Sequence, residues 1–196
     1  MAMDFLELLV RLVNKIIYVV VLFSAIACSR GRQAMTSVSE NHADLERKRG
    51  VLLYQGRPFS GHLFQLNING DTTLSETYLD GRREGRCYKY YDNGLKKEDR
   101  LYAEGKGEGL HCGWYPNGQM KFRFHYQNDI KEGLSEEWYA DGTRYKSMHY
   151  RKGQEEGLQQ MWSEDGNLRA NYEARNGRNY GLTGTKNCRN VWKKIG

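Results

Sequence analysis

His125 and His149 stand 24 residues apart, and their type and spacing raise the question of metal ligation. Four cysteines, Cys28, Cys87, Cys112 and Cys188, raise that of thiol chemistry. The pairs Glu136-Glu137 and Glu155-Glu156 raise that of paired carboxylates for hydrolysis. A last group is aromatic: Tyr90, Trp114, Trp138 and Trp162 recur at one interval, and Tyr91, Tyr115 and Tyr139 follow the first three. Large rings with polar edges suit recognition of an extended peptide, a glycan or a lipid headgroup.

The interval that spaces these residues organises the chain. Gly61, Gly85, Gly109, Gly133, Gly157 and Gly181 are each 24 apart, as are Tyr54, Tyr78, Tyr102, Tyr126 and Tyr150. A second glycine series runs from Gly70 through Gly94, Gly118 and Gly142 to Gly166. With 22 glycines in 196 residues, coincident series at one period mark a repeat protein. Within a unit, Asn93-Gly94, Asn117-Gly118, Asp141-Gly142 and Asp165-Gly166 are hairpin signals, because tight turns between twisted strands need positive φ. They predict one strand near residues 86–91 and a second near 95–102, with Gly105 turning the chain into the next unit and Asp129 standing in that glycine's place one unit later. The expected fold is all-β: an open, single-layer antiparallel meander of stacked hairpins.

That geometry weighs against most of the chemistry. Equivalent positions lie two strands apart, about 9–10 Å, so His125 and His149 cannot comfortably share an ion at about 2 Å per bond. Cys87 and Cys112 are offset by 25 and point to opposite faces, too far apart for a disulfide. Glu136 and Glu137 are strand neighbours and also point apart, while Glu155 and Glu156 fall in a loop. The glycines precede no helix and form no phosphate cradle. The expectation is a non-catalytic protein with no metal and no cofactor. Its net charge of +6, from 30 basic and 24 acidic residues, is spread without the basic runs of a nucleic-acid binder. The remaining functional candidates are the aromatic rows: Tyr90, Trp114, Trp138 and Trp162 on one face, and Tyr91, Tyr115 and Tyr139 on the other. Between units, Arg86, Leu110, Leu134 and Leu158 vary, as do Lys97, Lys121, Tyr145 and Arg169, and these positions are the surface a partner would read.

The N-terminus differs in composition. Arg11 and Lys15 precede an apolar run, Ile16 to Ala27, shorter than the roughly 20 residues that span a bilayer. Ser24-Ala25-Ile26-Ala27-Cys28 resembles the lipobox of bacterial lipoproteins, which implies acylation of Cys28 as the mature N-terminus. Ser29, in place of aspartate, implies by the same resemblance the outer membrane. Domain boundaries follow: a signal helix over 1–27, the lipidated cysteine and a flexible polar tether over 28–50, repeats over 51–181, and a C-terminal cap over 182–196, where Val191 and Trp192 would cover the last edge strand.

The units GLHCGWYPNGQMKFRFHY and GLSEEWYADGTRYKSMHY, spaced Gly-x(8)-Gly-x(7)-Tyr with an aromatic pair before the turn, resemble the MORN-repeat variant. The resemblance covers about residues 54–181 and implies a β-hairpin unit stacked into an open sheet. Bacterial chains with this repeat are often lipoproteins and often labelled antitoxins of toxin–antitoxin systems. Three functions therefore stand: a protein-binding scaffold of the cell envelope, antitoxin-type neutralisation of a partner toxin, and direct binding of lipid headgroups or glycans by the aromatic rows. The lipid on Cys28 would hold the protein at a membrane, a placement at odds with neutralising a cytosolic toxin. Replacing Cys28 with Ala is expected to move the protein from the membrane to the soluble fraction, and unchanged membrane retention would contradict the lipid anchor.

Overall fold

Alternating side chains bounded by glycine turns make strands, and the turns decide how the strands stack. The computed structural model describes residues 35–184. The signal helix, Cys28, Cys188, Val191 and Trp192 lie outside the described residues. The chain divides into two units at Met35 and Thr36, and the account below concerns the second.

Its first strands are β1 (Thr36–Ser39), β2 (Leu45–Lys48), β3 (Val51–Tyr54), β4 (Arg57–Pro58), β5 (Gly61–Leu66), β6 (Thr72–Leu79), β7 (Arg82–Arg83) and β8 (Gly85–Tyr90). Then come β9 (Lys96–Ala103), β10 (Lys106–Trp114), β11 (Met120–Gln127), β12 (Ile130–Lys131), β13 (Gly133–Trp138), β14 (Arg144–Arg151), β15 (Gln154–Trp162), β16 (Leu168–Arg175) and β17 (Arg178–Leu182). One open sheet of 14 strands runs in the order β1-β5-β6-β8-β9-β10-β11-β13-β14-β15-β16-β17, with β7 beside β6 and β12 beside β11. From β5 onward it is the expected antiparallel meander of hairpins.

Its beginning departs from the sequence reading. Residues expected as a flexible tether form β1, which pairs parallel with β5, and β2, which pairs with β3. Val51–Tyr54, at the start of the segment expected to form the repeats, instead lies in a separate sheet, β2-β3-β4. The reason is burial. Val38 and Leu52 join Phe59, Leu63, Leu74 and Tyr78 in an apolar cluster, with Leu45 and Tyr54 packed against it. A fully buried aliphatic or aromatic side chain contributes about 1.5–3 kcal/mol, so a few such residues suffice to fasten a mostly polar segment over the open end of one sheet face. A second small cluster, Ala170, Tyr172, Ala174 and Met161, sits at the other end of the repeats.

Between these ends the units are joined along both margins by bonds that repeat with the period. At one margin a four-residue turn closes with Gly94 N donating to Tyr91 O and Tyr91 N to Leu95 O. Asn93 is not itself at positive φ there; only Gly94 is, at 78°. Asn93 serves the turn differently, its Oδ1 accepting from Leu95 N. Three of these turns are locked to the next unit by a tyrosine. The Tyr91 hydroxyl donates to Trp114 O at 2.8 Å, Tyr115 to Trp138 O at 2.9 Å, and Tyr139 to Trp162 O at 3.0 Å.

At the other margin the turns are the two-residue kind with both central residues at positive φ, as at Glu104 (51°) and Gly105 (82°), which matches strand twist. Left-handed geometry costs a residue such as Glu104 about 1–2 kcal/mol. Offsetting this, the turn docks on its predecessor: Glu104 N donates to the Glu84 carboxylate and Gly105 N to Arg83 O. Asn128 N onto Glu108 and Lys152 N onto Glu132 repeat the first bond. Replacing Tyr115 with Phe removes one margin bond without changing shape. It is expected to lower stability by about 0.5–1.5 kcal/mol in urea unfolding, and an unchanged midpoint would show that the bond carries nothing.

Candidate functional site

Cross-strand register assigns the faces. Tyr88, Asp99, Cys112, Arg123, Glu136, Ser147 and Gln160 follow one another across one face. That face also carries Leu110, Leu134 and Leu158 towards one margin and Trp114, Trp138 and Trp162 towards the other. It is called the Trp face here, and on it Leu110, Leu134 and Leu158 are 47%, 47% and 56% exposed. Tyr90 and the three tryptophans are half-buried. Between the leucine and tryptophan rows lies a charged strip. Asp99 accepts from Arg86 at 2.8 Å and Lys96 at 3.3 Å. Glu136, 4% exposed, is held by Arg123 and, at 3.2 Å, by Arg144. Lys96 Nζ lies 5.7 Å from the Trp114 ring centroid and the Arg144 guanidinium 5.8 Å from that of Trp162.

The second aromatic row has another job. Tyr91, Tyr115 and Tyr139 sit at the margin, and their hydroxyls are engaged by the tryptophan carbonyls described above. Lys97 and Lys121 lie over the first two rings at 5.3 and 5.4 Å, and Tyr145 packs on the third at 5.0 Å. These three residues, among the positions that vary between units, lie over the rings that join the units.

The opposite face holds the most buried polar groups. Leu63, Cys87, His111, Ser135 and Gln159 occupy equivalent positions in successive units, and all are at most 5% exposed. The polar members meet the backbone of the preceding strand ten residues back. His111 Nε2 donates to Leu101 O at 2.8 Å. The Gln159 amide accepts from His149 N and donates to His149 O. In both places the strand register shifts, so these side chains satisfy backbone groups that an irregular ladder leaves open. Ser135 is too short for the role, and its buried hydroxyl has no hydrogen-bond partner among the described residues. Sequence reasoning missed this column because the members differ in type; only the shared position, 24 residues apart, signals it.

Little of the remaining chemistry assembles. His125 and His149 are exposed, and His149 Nδ1 faces Glu156 O at 3.1 Å. No group of three His, Cys, Asp or Glu side chains among the described residues converges on a metal-sized site. Cys87 and Cys112 are free thiols. Burial, reinforced by the nearby Glu76 carboxylate, pushes the Cys87 thiol up to about 11, and burial likewise raises Cys112. Neither is poised as a thiolate near neutral pH. Glu136 and Glu137 point to opposite faces, the first towards Arg123 and the second beside Lys146.

His111 is also packed between Tyr102 and Tyr126, with ring centroids 5.4 and 4.8 Å away. Burial lowers its pKa below the usual value, only partly opposed by the Leu101 carbonyl. The folded protein therefore resists a proton that the unfolded chain takes up at about pH 6.5. Stability attributable to His111 is full above that pH and declines as pH falls through it towards the lowered folded value. Unfolding midpoints measured between pH 7.5 and 5.5 are expected to fall less in His111→Gln than in the parent; parallel curves would contradict the buried neutral histidine.

With the hairpin geometry established, comparison with known proteins is specific at one level. The profile of the MORN repeat variant family matches residues 107–128. No curated protein matches the chain. The matched segment spans the turn at Asn117-Gly118, the Tyr115 latch and β11, all of which recur in neighbouring units. Residues 107–128, which match the MORN repeat variant, are one copy of the 24-residue unit that builds the sheet.

Proposed function

We propose that this is a non-catalytic, lipid-anchored repeat protein that uses the Trp face as a protein-binding surface in the bacterial cell envelope. The observation that carries the reading is the row of Leu110, Leu134 and Leu158, about half exposed in three successive units beside the tryptophan row. An apolar row rimmed by ordered charges is the composition of an interaction surface. Folding alone does not call for these leucines, because Arg86 fills the same position one unit earlier. The margin latches support the reading from the other side, since they hold the sheet together without using that face.

Envelope placement rests on Cys28 and the apolar run before it. Direct glycan stacking is less favoured, because cations already lie over the rings of Trp114 and Trp162. Antitoxin activity has the family resemblance for support and would show itself as a toxin among the crosslinked partners. The test is a photocrosslinking residue placed at Leu134 on the Trp face and, separately, at Glu137 on the opposite face, in cells making the full chain. A discrete partner captured from position 134 alone, and lost when Trp138 is changed to Ala, is expected. Absence of a partner, or equal capture from both positions, would overturn the reading.

A further inference from the structure

The face opposite the tryptophans is not uniform. In later units two of its columns are largely apolar, with Phe122 and Ala170 in one, where Lys146 is the exception, and Phe124, Met148 and Tyr172 in the other. The first units place Leu74 and then Glu98 in the former column, and Glu76 and Arg100 in the latter. The repeats thus act as their own comparison: in the second column charge stands in the first two units and large apolar side chains in the three that follow. Those first two units border a cavity of about 510 Å³ at the β5-β6-β8 end of the sheet, within the usual range for small-molecule sites. Its charged lining is balanced: Arg83, Lys89 and Lys97 against Glu40, Glu76 and Asp92. A smaller recess of about 100 Å³ shares Glu76, Arg83 and Lys89 with it and adds Glu98 and Arg100.

Most of these charges are already engaged. Glu76, 4% exposed, accepts from Arg83 at 3.0 Å and from the Tyr78 hydroxyl at 2.6 Å. Glu98 pairs with Lys89 at 3.5 Å and Arg100 at 3.2 Å, and Glu40 with Arg47 at 3.7 Å. Two groups of opposite sign are left over in the same lining. Among the described residues Lys97 has only the Tyr91 ring, and Asp92 has neither an ion pair nor a hydrogen bond. In the recess the buried Nε of Arg100 also lacks an acceptor among the described residues. A lone anion would meet three carboxylates, and a lone cation three basic groups. A ligand bearing both signs answers both unpaired groups and adds no net charge.

We propose that this cavity binds a small zwitterion, an α-amino acid or short peptide, with its ammonium towards Asp92 and its carboxylate towards Lys97 and the Arg100 side. The lining includes Tyr90 of the tryptophan row but none of Leu110, Leu134 and Leu158, so the site stands or falls separately from the proposed protein-binding surface. The probe is alanylalanine, titrated calorimetrically into the full chain. The same dipeptide blocked at both ends, and acetate alone, serve as comparisons. Saturable binding of the free dipeptide is expected, with acetate and the blocked form at least about tenfold weaker. Asp92→Asn and Lys97→Gln, both at exposed positions, are each expected to weaken binding by about tenfold or more. Arg100→Met, which installs the residue found at the equivalent Met148, is expected to act in the same direction while the sheet stays folded. No heat with the dipeptide, equal binding of the blocked form or of acetate, or unchanged affinity in the three variants would overturn the site.

Discussion

The structure depends on one interaction repeated with the period: the bond from a turn tyrosine to the carbonyl of the tryptophan that begins the next unit's turn. A single-layer sheet has no second layer to hold its strands in place, and isolated hairpins are marginal in water. The hydroxyls of Tyr91, Tyr115 and Tyr139 reach over to Trp114, Trp138 and Trp162, and at the opposite margin the carboxylates of Glu84, Glu108 and Glu132 accept the amides of the following turn. Each unit is therefore fixed to its neighbour at both ends of its strands. Stability then accumulates unit by unit, as in other repeat architectures.

This division of labour explains how apolar surface is distributed. The two clusters of buried apolar residues lie at the two ends of the repeats. In the middle, buried positions go to Cys87, His111, Ser135 and Gln159, of which His111 and Gln159 repair backbone bonds, while large rings are covered by cations such as Lys131, 4.3 Å from Phe124 and 5.0 Å from Tyr150. Since cohesion resides in the margins and in this polar column, the Trp face keeps its leucines in solvent. A surface whose exposure the fold does not need is available for a partner.

The regular part of this architecture was legible because glycine and tyrosine positions obey simple rules at a constant interval. Strand pairs β8-β9 and β13-β14 lie close to where the Asn-Gly and Asp-Gly signals put them. What those signals meant was less legible. Asn93 has no positive φ and acts through its side chain, whereas the turns with two positive-φ residues lie at Glu104-Gly105 and its equivalents. The strands β1 and β2 were hidden because Val38 and Leu45 are isolated in polar sequence and their partners are distant, including a parallel pairing that local pattern cannot announce. Of the aromatic candidates, the row of Tyr91, Tyr115 and Tyr139 was visible as a spacing. That a hydroxyl would end on a carbonyl in the next unit depends on turn geometry. The paired charges around Glu76 were similarly invisible, since they are neighbours across strands and not along the chain.

The margins are the point on which this account is most exposed. Site-resolved hydrogen exchange of the full chain measures them directly, because turn amides without partners exchange freely while bonded ones open only with the structure around them. The amides of Glu104, Asn128 and Lys152, each bonded to a glutamate of the preceding unit, are expected to be protected as strongly as those of β11 between Phe122 and Tyr126. Exchange of these turn amides at the rate of an open loop, with the strands still protected, would contradict the view that the units are held together at their margins.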